Sequence, residues 1–73
     1  RNEISKRVRQ CINLLHPKYR DILAKRFLHE MTLTDIGKEM GVSRERVRQL
    51  VKKGRIRLEV LMREEGLDKE KLL

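Results

Sequence analysis

The stretch TLTDIGKEMGVSRERVRQL, from Thr32 to Leu50, constrains the fold of this chain more than any other part of it. Apolar residues fall at helical spacing on both sides of an interruption, Gly41-Val42-Ser43. Before it, Leu33, Ile36 and Met40 share one helix face. After it, Val47 and Leu50 open a second apolar stripe. Thr32 with Asp35 three residues on makes a start resembling a capping box, although Asp is shorter than the preferred Glu. Gly41 can take a positive φ cheaply and so end the first helix. Ser43 is a good N-cap for the next helix, and Glu45 sits in the first turn, where the helix dipole favours an acid. These signals predict helices at about 33–40 and 44–65, the second carrying Val47, Leu50, Val51, Gly54, Leu58, Leu61 and Met62 on one face, with Gly66 as its stop.

Two further helices precede them. Ile4, Val8, Cys11, Ile12 and Leu15 lie on one face of a helix at about 3–15, with Asn2 as its N-cap. His16-Pro17 interrupts that helix and begins another at about 17–28, since proline is tolerated at a first helical position. Tyr19, Ile22, Leu23 and Phe27 form its inner stripe. No strand pattern, repeat or linker is evident. The expected architecture is all-α: four helices in one domain over residues 1–73, the last two forming a helix-turn-helix at about 32–53. The tail from Leu67 to Leu73 is expected to fray.

Such a pair of helices needs a small residue where they cross, and Gly37 supplies it. A glycine inside a helix costs about 1 kcal/mol, so Gly37 asks for a packing reason. Ile36 and Met40 before the turn, Val42 within it, and Val47 and Leu50 after it are expected to anchor the pair to the core.

The remaining composition narrows the function. With 19 Lys and Arg against 11 Asp and Glu, the net charge is +8, which favours a polyanionic partner. Cys11 is the only cysteine, so no internal disulfide and no thiolate zinc site can form, in keeping with a reducing cytoplasm. No apolar run approaches the length needed to span a membrane, and no signal-peptide pattern is present. A chain beginning with Arg1 reads as a fragment of something longer. His16 and His29 lack metal-ligand spacing with Cys11 or with an acid pair, and read as surface or capping residues. No catalytic triad, phosphate loop or carboxylate pair is visible. Neither an enzyme nor a cofactor, metal or small-molecule substrate is expected.

If Val47 and Gly54 point inward, a step of 100° per residue places Glu45, Arg48, Gln49 and Lys52 on the opposite face, flanked by Arg44, Arg46 and Lys53. In a helix-turn-helix this face enters the major groove. Arg can pair with guanine O6 and N7, Gln with adenine N6 and N7, and Glu can accept from cytosine N4. The flanking Arg46, Lys52 and Lys53 suit phosphates. The plainer alternative is a solvated charged face on which Glu45 pairs locally with Arg48 or Gln49.

The run SRERVRQLVKK, preceded by TLTDIGKEMGV, resembles the final segment of sigma factors, the subunits that direct bacterial RNA polymerase to promoters. Upstream, LLHPKYRDILAKRF is similar to the family's preceding helix, and the resemblance covers about Leu14 to Leu58. It implies the region 4 domain of the sigma-70 family, four helices that bind the −35 promoter element. Carried over by position, Arg44, Glu45 and Gln49 read base edges, with Arg48 on the same face. Lys18 and Arg26 hold phosphates, as do Thr32 and Leu33 through amides at a helix N-terminus. Ser43 and Lys53 add backbone contacts. Arg26 also borders the inner stripe of Ile22, Leu23 and Phe27, where a charge needs a purpose or must snorkel to solvent. The resemblance further implies docking on the β flap of RNA polymerase, and sequestration by anti-sigma proteins in some members.

Three departures stand out. The connection from Phe27 to Thr32 is short, Arg55 stands where the family often has Leu, and Ile56 lies opposite the apolar stripe. They point to an alternative or divergent member. Ile56 is either an isolated exposed residue or a contact for a protein partner. The residues leave two other readings open: a stand-alone helix-turn-helix regulator, and a module whose basic face meets an acidic protein. An amphipathic membrane helix is remote, because the apolar stripes are committed to one core.

Overall fold

The computed structural model describes residues 6–64. The expected Asn2 cap, Ile4, the Gly66 stop and the tail lie outside the described residues. Within them the chain forms α1 (Lys6–Asn13), α2 (Pro17–Leu23, prolonged by a π-helical turn over Ala24–Leu28), α3 (Leu33–Met40) and α4 (Arg44–Glu64), with no strand.

α1 buries Val8, Cys11 and Ile12, as its spacing predicts. It ends at Asn13 rather than near Leu15, because its last turn tightens. The amides of Leu14 and Leu15 donate to the carbonyls of Cys11 and Ile12, three residues back, at 3.0 and 3.1 Å. The tighter turn keeps Leu15 buried and throws Leu14 out to 68% exposure. His16 then caps α2: its Nδ1 accepts from the Lys18 amide at 3.1 Å, and Pro17 opens the helix.

α2 places Ile22 and Leu23 wholly out of solvent. Its final turn widens, with the His29 amide donating to Ala24 O, five residues back, and the Met31 amide to Lys25 O, both at 3.0 Å. Glu30 takes a left-handed φ of 55° to make that reversal. Phe27 remains buried, so the extra residue in the turn is absorbed without losing the inner stripe.

α4 contacts each of the other three helices. Val47, Leu50, Val51, Leu58 and Met62 are buried along it, and Leu61 is packed against the core at its edge. Gly54 marks where α2 comes closest: a Cβ there would lie 3.2–3.3 Å from the branch carbons of Leu23.

The α3–turn–α4 unit follows the expected plan with one correction. Thr32 Oγ1 accepts from the Asp35 amide, and Gly41 closes α3 at φ 73°. Gly37 is buried against the turn. Met40 and Val42, however, are not core anchors; they are 38% and 37% exposed. The turn packs on Gly37 through its backbone instead. The Val42 amide donates to Gly37 O at 2.9 Å, and the Val42 carbonyl oxygen occupies the space that a Cβ on Gly37 would need. With both of its backbone groups turned to α3, the Val42 side chain must point outward. The left-handed residue after Met40 likewise carries the chain away before that side chain is covered.

Candidate nucleic-acid interface

The first turns of α4 carry the candidate interface. Ser43 Oγ accepts from the Arg46 amide at 3.0 Å, satisfying an N–H that has no partner inside the helix. With Val47 and Leu50 held in the core, Arg44, Glu45, Arg46, Arg48, Gln49, Lys52 and Lys53 are all exposed. The structure thus brings together every residue expected on the reading helix.

Three of them are linked. Arg48 grips the Glu45 carboxylate with two hydrogen bonds, Nε to Oε1 at 2.9 Å and Nη2 to Oε2 at 2.6 Å. Gln49 Nε2 lies 3.5 Å from the same Oε2, at the outer limit of a hydrogen bond. The hydrogen bond from Arg48 is the main reason the Glu45 carboxyl sits below its ordinary pKa; the nearby charges of Arg48 and Arg44 add to it. The Arg48 guanidinium is raised for the reciprocal reason. The local pairing weighed as the plainer alternative is therefore present, on the same side chains that suit base edges.

Arg46, Lys52 and Lys53, expected to hold phosphates, flank this face, and the other residues expected to do so lie on other elements. Lys18 is exposed at the start of α2, its Nζ 5.7 Å from the Tyr19 ring centroid. Arg26 is half-buried, and its Nη1 donates to Met31 O at 3.0 Å. That bond uses one of the five guanidinium N–H donors and ties the end of α2 to the connection before α3. Thr32 is exposed and Leu33 half-buried at the start of α3, where helical amides lack intrahelical acceptors.

Other features were not legible from spacing. Lys25 Nζ reaches Glu39 Oε1 at 3.2 Å, joining the end of α2 to α3. Arg55 stacks over the Phe27 ring, 6.0 Å from its centroid, which gives the residue that departs from the family pattern a packing role. Ile56 is not isolated. With Leu14, Tyr19, Val60 and Leu61 it lines a shallow groove between the start of α2 and the far half of α4. Ile56, opposite the apolar stripe, hinted at this in the sequence, and Leu14 and Val60 each lie one residue off an inner stripe.

A family model described as sigma-70, region 4, matches residues 11–59, well over half of the chain. The chain belongs to the sigma-70 region 4 family. This region 4 chain is 35% identical over 68 residues to the RNA polymerase principal sigma factor HrdD of Streptomyces coelicolor, a match covering 88% of the chain and 20% of that protein. It is 49% identical over 39 residues to HrdD of Streptomyces viridifaciens, covering 53% of the chain and 12% of that protein. The region 4 chain thus spans a fifth or less of these relatives' length. No solved structure gives a significant match. No helix among the described residues is long and apolar enough to cross a membrane.

Proposed function

We propose that this region 4 chain reads the −35 element of promoter DNA, as the part of a sigma factor that directs RNA polymerase to its start sites in the bacterial cytoplasm. The observation that carries the reading is the outer face of α4: Arg44, Glu45, Arg48 and Gln49 stand exposed together on a helix anchored through Val47 and Leu50, next to a turn seated on Gly37. In this reading Arg44, Glu45 and Gln49 meet base edges, with Arg48 beside them. Lys18, Arg26, Arg46, Lys52 and Lys53, the Ser43 hydroxyl and the Thr32 and Leu33 amides meet the phosphate walls. The role is recognition rather than catalysis.

The apolar groove of Leu14, Ile56 and Val60 lies along the far half of α4, and at Ile56 it borders a second depression lined by Arg48 and Lys52. Neither depression includes Arg44, Glu45 or Gln49, which suits simultaneous contact with DNA and with a protein, and the β flap of RNA polymerase is the partner the family resemblance implies. An anti-sigma protein would compete for one of these two faces. The departures at Arg55 and Ile56, with 35% identity over 68 residues, fit a divergent member.

The test is binding of the 73-residue chain to two short duplexes, one carrying a TTGACA-type element and one scrambled, across a salt series. Preference for the first that persists as salt rises is expected. Equal binding that fades with salt would overturn the reading and leave a basic module for acidic partners.

A further inference from the structure

In the free chain the reading face is not a row of independent side chains. Arg48 spends two of its five donors on one carboxylate, and that carboxylate belongs to another reading residue. Both residues are more than half exposed, so the pair forms where water competes fully, and its two-point geometry is what favours it there over a single contact. A carboxylate offers about four acceptor positions, so Glu45 held this way can still accept from a base amino group. The guanidinium keeps its charge and three N–H donors, but the pair is neutral as a whole, so Arg48 held this way offers a phosphate less net attraction than a free arginine does.

We propose that Glu45 and Arg48 act as one specificity-determining unit, in which Arg48 positions the Glu45 carboxylate for a base edge while the carboxylate withholds Arg48 from DNA phosphates. Arg48 is then a positioning residue rather than a base reader in its own right. Glu45 suppresses binding to DNA of the wrong sequence by keeping its neighbour neutralised. A phosphate carries the same bidentate acceptor geometry as a carboxylate, so a released Arg48 would find one on either groove wall. This deepens the −35 reading and rests on it for the base contact, but the withholding of Arg48 can be measured on DNA of any sequence.

The experiment is a double-mutant cycle on the 73-residue chain with the scrambled duplex, reading affinity by fluorescence anisotropy between 50 and 200 mM salt as in the general treatment of counterion release. Each phosphate contact steepens the loss of affinity over that range by about 3.5-fold. Glu45→Gln is expected to steepen it by that factor when Arg48 is present, and to leave it unchanged in an Arg48→Gln background. Arg48→Lys keeps the charge but loses the fork; it is expected to steepen the loss by the same factor and, on the TTGACA-type duplex, to weaken discrimination at the base pair that Glu45→Gln affects. An equal effect of Glu45→Gln in both backgrounds would overturn the proposal, because Glu45 would then act only as a distant charge. So would an Arg48→Lys chain indistinguishable from the parent. Failure of the −35 reading looks different: the parent chain itself would bind both duplexes alike, while the cycle on the scrambled duplex would still decide whether Arg48 is withheld.

Discussion

A Cβ on Gly37 would stand 2.7 Å from the carbonyl oxygen of Val42. That distance is closer than real Cβ atoms approach, and the neighbour is backbone, which cannot rotate away. Gly37→Ala would gain about 1 kcal/mol of helix propensity. Overpacking costs about 1–3 kcal/mol, and because the backbone of the turn must move here, a cost of about 2–3 kcal/mol is expected. A net loss of about 1–2 kcal/mol in urea denaturation is expected, with weaker DNA binding because the same turn aims α4. An alanine chain as stable as the parent would show that the helices cross without needing the gap.

Glu30 presents the opposite case. It holds a left-handed φ of 55° without being glycine. An L-residue pays about 1–2 kcal/mol there. Glu30→Gly removes that cost but adds unfolded-chain freedom of about 0.5–1 kcal/mol. A net stabilisation of about 0.5–1 kcal/mol is expected, seen as a higher midpoint of thermal unfolding. A lower midpoint would mean that the Glu30 side chain contributes more than its backbone costs.

Arg26 can be separated into two roles. Its bond to Met31 O ties the connection between α2 and α3, and its remaining donors are those assigned to a phosphate. Arg26→Met keeps most of the apolar stem. Losing a charge-assisted bond at a half-buried position should cost about 1 kcal/mol of stability, below the range for a fully buried one. If Arg26 also meets a phosphate, the slope of affinity against salt falls by about one contact. A stability loss with an unchanged slope would assign it to the tether alone.

Base and phosphate contacts should respond differently to truncation. Gln49→Ala is expected to relax preference at one base pair by about 1–3 kcal/mol and to leave binding to scrambled DNA nearly unchanged. Lys18→Ala and Lys53→Ala are expected to weaken binding to all sequences alike and to reduce the salt slope. Selections over a library of single-base variants would reveal the split; uniform losses from all three would contradict it.

The Glu45 carboxyl has a lowered pKa, chiefly through the hydrogen bond from Arg48. A depressed carboxylate contributes its stabilisation above the ordinary carboxylate range and loses it as pH falls through the lowered value. Both partners are exposed, so the effect on folding is small. A carboxyl titration followed by NMR should therefore place the Glu45 midpoint below the ordinary value, and Arg48→Ala should move it back up. A midpoint unchanged by Arg48→Ala would mean that the pair does not persist in solution.

Local signals were enough to specify most of this architecture. Thr32, Ser43, Pro17 and Gly41 each satisfy or replace a backbone group at a helix end, and such chemistry depends only on neighbours in sequence. The 3.6-residue apolar stripes likewise determined which faces turn inward, and so which side of α4 carries Arg44, Glu45, Arg48 and Gln49. What the tertiary structure alone decided is how non-neighbours divide the space. Met40 and Val42 have the right spacing to be buried, yet the turn seats its backbone on Gly37 and sends both outward. The π turn at the end of α2, the pairing of Lys25 with Glu39 and the stacking of Arg55 on Phe27 depend on where α3 and α4 lie relative to α2. The groove of Leu14, Ile56 and Val60 joins residues from distant parts of the chain. A hydrophobic stripe says that a residue can be buried; only the competition among helices for one small core says whether it is.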